Sequence, residues 1–161
     1  MSTTPVTGSS VRAFEQPRLE LSKLARAAYR AMCGLDDAVE LDSSLRDLVS
    51  LRASILNGCA YCVDMHTLDA RARGEAEQRL YAVAAWEEAP FFTDRERAAL
   101  ALTDAVTLVA ETHVPREVFD AAREHFGDEE LTQLLWAITA INAWNRVAIA
   151  TRMLPGEYEP S

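Results

Sequence analysis

Two of the three cysteines and one of the three histidines fall in a single stretch, Asn57-Gly58-Cys59-Ala60-Tyr61-Cys62-Val63-Asp64-Met65-His66. Nowhere else in the chain do reactive side chains crowd together in this way. On a helix, Cys62 and His66 stand four residues apart and share a face, with Cβ atoms roughly 6 Å apart. Cys59 lies one turn earlier, at the helix start and within disulfide reach. Unpaired N–H groups and the dipole at a helix N-terminus favour the thiolate, so a Cys-x-x-Cys there reads as a reactive dithiol. His66 then acts as proton acceptor or relay for Cys62. Two other chemistries fit the same residue types. Cys59, Cys62 and His66 could bind zinc with Asp47 as fourth ligand, although the second Cys/His pair of a structural zinc site is missing. Both cysteines could also be inert core residues, since this spacing alone is a weak signal.

The elements that must position these groups are helical. Leu45, Leu48, Val49, Arg52, Ile55 and Leu56 describe an amphipathic helix capped by Asp42 or Ser43 and stopped at Asn57-Gly58. A second helix runs from Cys59 to about Arg73 and ends at Gly74. The corner between them favours antiparallel packing. Asp47 lies ten residues before Asn57 and His66 eight after Gly58, roughly 15 Å and 12 Å from the corner at ~1.5 Å per residue. Asp47 is therefore expected to meet His66 and orient it, completing the carboxylate–imidazole–thiol form of an activated nucleophile.

Outside this pair the pattern remains helical. An apolar periodicity from Arg18 is expected to close at Gly34, with a short helical turn at Asp36–Val39. Glu75 to Trp86 forms another helix. Thr93-x-x-Glu96 has capping-box form and opens a helix ending near Glu111. Pro115 suits the first turn of the next helix, which Gly127 ends. Glu129 to Met153 is apolar around much of its circumference, which places it at the centre of the core or against another subunit. No stretch alternates as a strand would. The expectation is an all-α fold of about seven helices with short loops: a flexible arm over residues 1–17, a single domain over 18–155 and a short tail over 156–161. Cys33 reads as a small buried residue, His113 and His125 as ordinary loop and helix-end histidines, and the tryptophans as core or subunit contacts.

The formal net charge of −9 disfavours nucleic acid as a partner. No apolar run reaches the roughly 18 residues of a membrane helix, and Met1–Ser10 lacks the charged and apolar regions of a secretory signal. These features point to the cytoplasm, where thiols stay reduced unless they cycle.

Arg46-Asp47-Leu48-Val49-Ser50-Leu51-Arg52-Ala53-Ser54, followed by Asn57-Gly58-Cys59-Ala60-Tyr61-Cys62 and His66, resembles the carboxymuconolactone decarboxylase superfamily in its alkylhydroperoxidase D-like (AhpD-like) branch. The similarity continues through Thr67–Arg71, Gly74-Glu75, Ala89–Thr93, Arg95–Leu100 and Ile141–Arg146, covering roughly residues 18 to 155. It implies an AhpD-like helical fold assembled as a homo-oligomeric trimer or hexamer. It also implies a peroxidase cycle without haem, metal or other cofactor, with a hydroperoxide as substrate and an external dithiol or protein as reductant. By that resemblance Cys62 attacks the peroxide, Cys59 resolves the sulfenic acid as a Cys59–Cys62 disulfide, and His66 with the upstream carboxylate relays protons. The chain departs from its relatives at two catalytic positions. Asp47 stands where they carry Glu, and Tyr61 where the best-known members carry His; Tyr61 can donate a hydrogen bond or pack. The alternative from another class is a non-enzymatic, redox-responsive oligomer in which the dithiol is a sensor or structural element.

Overall fold

A computed structural model of the chain describes residues 17–160, and among them there are nine α-helices, one 3-10 turn and no strand. The helices are α1 (Leu21–Leu24), α2 (Arg26–Asp37), α3 (Ser43–Asn57), α4 (Ala60–Ala72), α5 (Glu77–Ala82), α6 (Asp94–Thr107), α7 (Val109–Thr112), α8 (Arg116–His125) and α9 (Asp128–Thr151). The 3-10 turn, Val83–Ala85, follows α5. The expected all-α fold is what forms; the count exceeds seven because α1 and α7 are single turns.

The boundaries follow from local chemistry. Asp42 Oδ1 accepts from the Leu45 N–H at 3.0 Å and starts α3. Gly58, at φ 69°, stops it: the Gly58 N–H reaches the Ile55 carbonyl and the Cys59 N–H reaches that of Ser54, the Schellman pattern. Thr93 caps α6, its side chain accepting from the Glu96 N–H while the Glu96 carboxylate accepts from the Thr93 N–H. Three expectations are corrected. Gly34 does not end a helix, for α2 runs through it to Asp37 and takes in the turn expected at Asp36. The helix expected to reach Glu111 breaks at Leu108, and α7 resumes for one turn. Gly127 is the N-cap of α9, and α8 closes at Phe126. The expected arm, except for Pro17, lies outside the described residues.

Helix α3 is central and packs on α4, α6 and α9. One side of it, with Leu45 and Val49, meets Leu102, Leu134 and Ile138. Another, with Leu48 and Leu51, meets Ala70, Leu80, Val83 and Leu100. Burying each such leucine or isoleucine contributes about 1.5–3 kcal/mol. Arg52 crosses this core with a two-pronged bond to Asp104 at 2.6 and 2.8 Å, and Trp86 Nε1 donates to the same carboxylate at 3.1 Å. A third cluster, built on Ala53, Cys59, Cys62, Ile141 and Ala148, encloses the dithiol. No described helix is long and apolar enough to cross a membrane.

Candidate functional site

The two cysteines sit at the α3–α4 corner and are joined as a Cys59–Cys62 disulfide, with Cα atoms 5.3 Å apart. Cys59 is the N-cap of α4, and its sulfur accepts from the Cys62 N–H at 3.4 Å. Both residues are buried, at 1% and 2% exposure. They differ in what they face. Cys62 lines a cavity of about 170 Å³ together with His66, whereas Cys59 lies behind it, against Ala53 and α9. Tyr29, Tyr61, Met65, Ile141, Trp144 and Met153 give the cavity a mainly apolar and aromatic wall, and Asp36 adds one carboxylate. Tyr29 and Trp144 meet edge to face with ring centroids 5.5 Å apart.

An amide clamp fixes the corner. The Asn57 side-chain amide donates to Asn142 Oδ1 at 3.0 Å and to Asn145 Oδ1 at 2.8 Å. Asn145 donates to the Ser54 hydroxyl at 3.0 Å, and Asn142 to that of Thr107 at 3.0 Å. Ser54 and Asn145 are fully buried, so the network binds the end of α3 to α9 in a dry environment where unmade bonds are costly.

His66 is half-buried as a residue, but its Nε2 is sealed from solvent without a hydrogen-bond partner. Burial pushes the imidazole down to about 4; Asp69 pulls it up, and Arg46 and Arg73 push it down. It is therefore neutral at pH 7 in the disulfide form of the site, where burial disfavours the imidazolium. Burial likewise pushes the Tyr61 hydroxyl up, with Tyr29 and acidic neighbours adding to the effect.

The structure brings Cys59, Cys62, His66 and Tyr61 together, but Asp47 does not join them. No hydrogen bond links Asp47 to His66; its Oδ1 lies 3.2 Å from Arg73 Nη2. It faces a second, polar cavity of about 200 Å³, with Ser43, Ser44 and Arg73. Burial raises the Asp47 carboxyl to about 6, with Arg73 opposing. The physical reason is register. Counted from Gly58, His66 is level with Ser50, while Asp47 is level with Asp69, one turn deeper. The face of α4 that begins with Cys62 and His66 continues through Asp69 to Arg73, and it is Arg73 that Asp47 meets. Cys33 is half-buried, not buried as expected, and free. Among the described residues no group of three or more His, Cys, Asp or Glu is placed to hold a metal.

Sequence reasoning missed the carboxy-terminal segment. Beyond α9 the chain returns across α4: the Gly156 N–H donates to Asp64 Oδ2 at 2.7 Å, and the Tyr158 hydroxyl to Asp69 Oδ1 at 2.8 Å. Met153, which enters the cavity wall, begins this return. Neither residue carried a periodic signal, although the spacing of Cys62, His66 and Asp69 was visible along one helix face.

A buried dithiol on the first turn of a core helix, with a neutral histidine on the same face, defines a helical thiol-redox class of site. Residues 24–105 match the carboxymuconolactone decarboxylase family, and the chain belongs to that family, in its AhpD-like branch. An uncharacterized Bacillus subtilis protein, YdfG, is 44% identical over 110 residues, which span 68% of this chain and 75% of that one. A crystal structure from Agrobacterium tumefaciens superposes with a TM-score of 0.86 at 40% identity, over 89% of this chain and all of that one. That protein is of unknown function and provisionally assigned to AhpD-type antioxidant defence. An uncharacterized peroxidase-related protein from Ralstonia eutropha with an AhpD core gives a TM-score of 0.73 at 26% identity, over 83% of this chain and 73% of that one.

Proposed function

We propose that the protein is a thiol-dependent peroxidase that reduces alkyl hydroperoxides through the Cys59/Cys62 pair. The observation that carries this is the asymmetry of the pair: Cys62 opens on the cavity beside His66, while Cys59 lies behind it in bonding distance. In the reduced protein neutral His66 takes the Cys62 proton. The thiolate attacks the distal peroxide oxygen, the O–O bond breaks, and the alkoxide leaves as an alcohol with the proton returned by His66. Cys62 is then a sulfenic acid. The Cys59 thiol attacks its sulfur, expels water and forms the disulfide seen in this structure. An external dithiol or protein reductant restores the pair by thiol–disulfide exchange, leaving as its own disulfide. The apolar, aromatic cavity wall supports an organic hydroperoxide over a fully hydrated one. Tyr61 packs on the dithiol cluster and lines the cavity. The reaction takes place in the cytoplasm, within a homo-oligomer.

Trapping the intermediate tests the assignment. A Cys59→Ser protein treated with cumene hydroperoxide and dimedone should carry one dimedone adduct, at Cys62, on peptide mass mapping. An adduct confined to any other residue would remove Cys62 from the nucleophile's role.

A further inference from the structure

Beside the dithiol cavity lies a second hollow that the proposed cycle does not use. The dithiol cavity, about 170 Å³, carries the chemistry: Cys62, and His66 with its unpartnered Nε2. Its one carboxylate, Asp36, is already paired with Arg46 Nη2 at 2.9 Å. The second hollow, about 150 Å³, lies between α1–α2 and α9 and has only apolar side chains in its own wall, among them Leu21, Met32, Ala143 and Val147. Two residues belong to both walls, Tyr29 from α2 and Trp144 from α9. Their rings meet edge to face, with centroids 5.5 Å apart and planes at 72°, which is direct contact. The pair therefore stands as a partition. On one side is a chamber that can react, and on the other a chamber that can only take up hydrocarbon.

We propose that Tyr29 and Trp144 together determine the specificity of the dithiol site, ending it at the size of a compact organic group and shutting longer linear chains out of the second hollow. The proposal rests on the reading of Cys62 as the thiol that meets the substrate. A group attached to the reacting atom gains about fourfold for each methylene that leaves water for an apolar wall. That gain ends where the partition stands. An apolar cavity of about 150 Å³ takes up one benzene-sized molecule, so the reacting chamber fills at about five or six carbons. Tyr29 acts as wall and not as core. It belongs to none of the three core clusters, and α2 contains no fully buried residue. Its ring can therefore be cut back while the helices that hold the dithiol stay packed.

The test uses the full-length reduced protein in a Cys33→Ser, Cys59→Ser background, where Cys62 is the only thiol. S-alkyl methanethiosulfonates, from methyl to decyl, convert that thiol to an alkyl disulfide and release methanesulfinate. Their second-order rates read the space beside the sulfur without any peroxide. With Tyr29 and Trp144 in place, the rate should climb about fourfold per methylene and level off at about five or six carbons. Tyr29→Ala joins the two chambers and should carry the climb on to about ten carbons. Ala143→Leu refills the second hollow from α9 and should return the Tyr29→Ala protein to the shorter limit, a reversal that a loosened fold would not produce. Trp144→Leu opens the same wall from α9 and serves if Tyr29→Ala does not fold. A length profile identical to the parent's in the folded opened variants would overturn the proposal. A matching series of alkyl hydroperoxides, given with a dithiol recycling system to chains that keep all their cysteines, separates the two readings. If the thiosulfonate limit moves but no hydroperoxide is consumed, the peroxidase function fails and the partition stands. If hydroperoxides are consumed with a length profile that neither opened variant changes, the partition fails and the peroxidase function stands.

Discussion

Each thiol and the imidazole have a separable share in the proposed cycle. Cys62→Ser should abolish turnover, and Cys59→Ser should stop after one oxidation per chain. His66→Ala should slow the peroxide step about 10²–10⁴-fold, the usual range for a lost general base, as read by single-turnover oxidation. Asp47 and His66 also give a pH signature in stability. The native Asp47 carboxyl is raised to about 6 from an ordinary 3.8, so the folded chain holds its proton more tightly than the unfolded chain. Stability from this group therefore falls as pH rises from about 4 to 6. His66 is lowered to about 4 from 6.5, so the folded chain binds its proton less well, and stability from this group is lost as pH falls through that window. The two slopes oppose each other between pH 4 and 6. Asp47→Asn removes only the first, so the variant should gain on the wild type as pH rises through that range. Urea midpoints at pH 4, 5 and 6 check this; a constant difference would contradict the raised Asp47.

At the scale of elements, the α3–α4 corner rests on one backbone conformation and one amide clamp. Gly58 has open space where a Cβ would sit, but its φ is 69°. Gly58→Ala should therefore cost about 1–2 kcal/mol from the left-handed backbone alone, without a packing penalty. Asn145→Leu strips one partner from Asn57 and another from Ser54 and should cost about 1–3 kcal/mol or more. Equilibrium unfolding measures both, and a neutral Asn145→Leu would show that the clamp is not a stabilising network. The stops and caps at Asp42, Gly58 and Thr93 were legible in the sequence because each is decided within a few neighbouring residues. Gly34 was misleading for the converse reason: a glycine tolerated inside a helix cannot be told from a C-cap without its tertiary surroundings. Asp47 shows what pattern reading leaves open. Rise per residue estimates depth along an antiparallel pair, but a three-residue offset turns a side chain to another part of its partner. The clamp joins residues more than eighty positions apart, and nothing local announces such a pairing.

For the whole molecule, the dithiol and its histidine were readable from one stretch and the all-helical class from apolar periodicity, while the AhpD-like fold came from the resemblance that residues 46–66 carry. The docking of the carboxy-terminal segment was not, because it depends on two acceptors on α4, Asp64 and Asp69, that lie about ninety positions away in sequence and meet the segment only in the folded chain. The surface carries a further consequence. Helix α2 is amphipathic yet contains no fully buried residue, and Leu24 at 71%, Val109 at 47% and Trp136 at 49% remain exposed. These apolar surfaces support the proposed homo-oligomer. Sedimentation should show a trimer or hexamer at micromolar concentration, and Trp136→Arg should weaken it if α9 contributes the contact; a wild-type monomer would contradict the assembly. The central claim is that the pair cycles catalytically. Reduced protein is mixed with cumene hydroperoxide and a dithiol recycling system, and peroxide is followed over time. Steady consumption over many turnovers, lost in Cys62→Ser, is the predicted result. One stoichiometric oxidation with no further turnover would contradict it and make the dithiol a redox sensor or a structural bond.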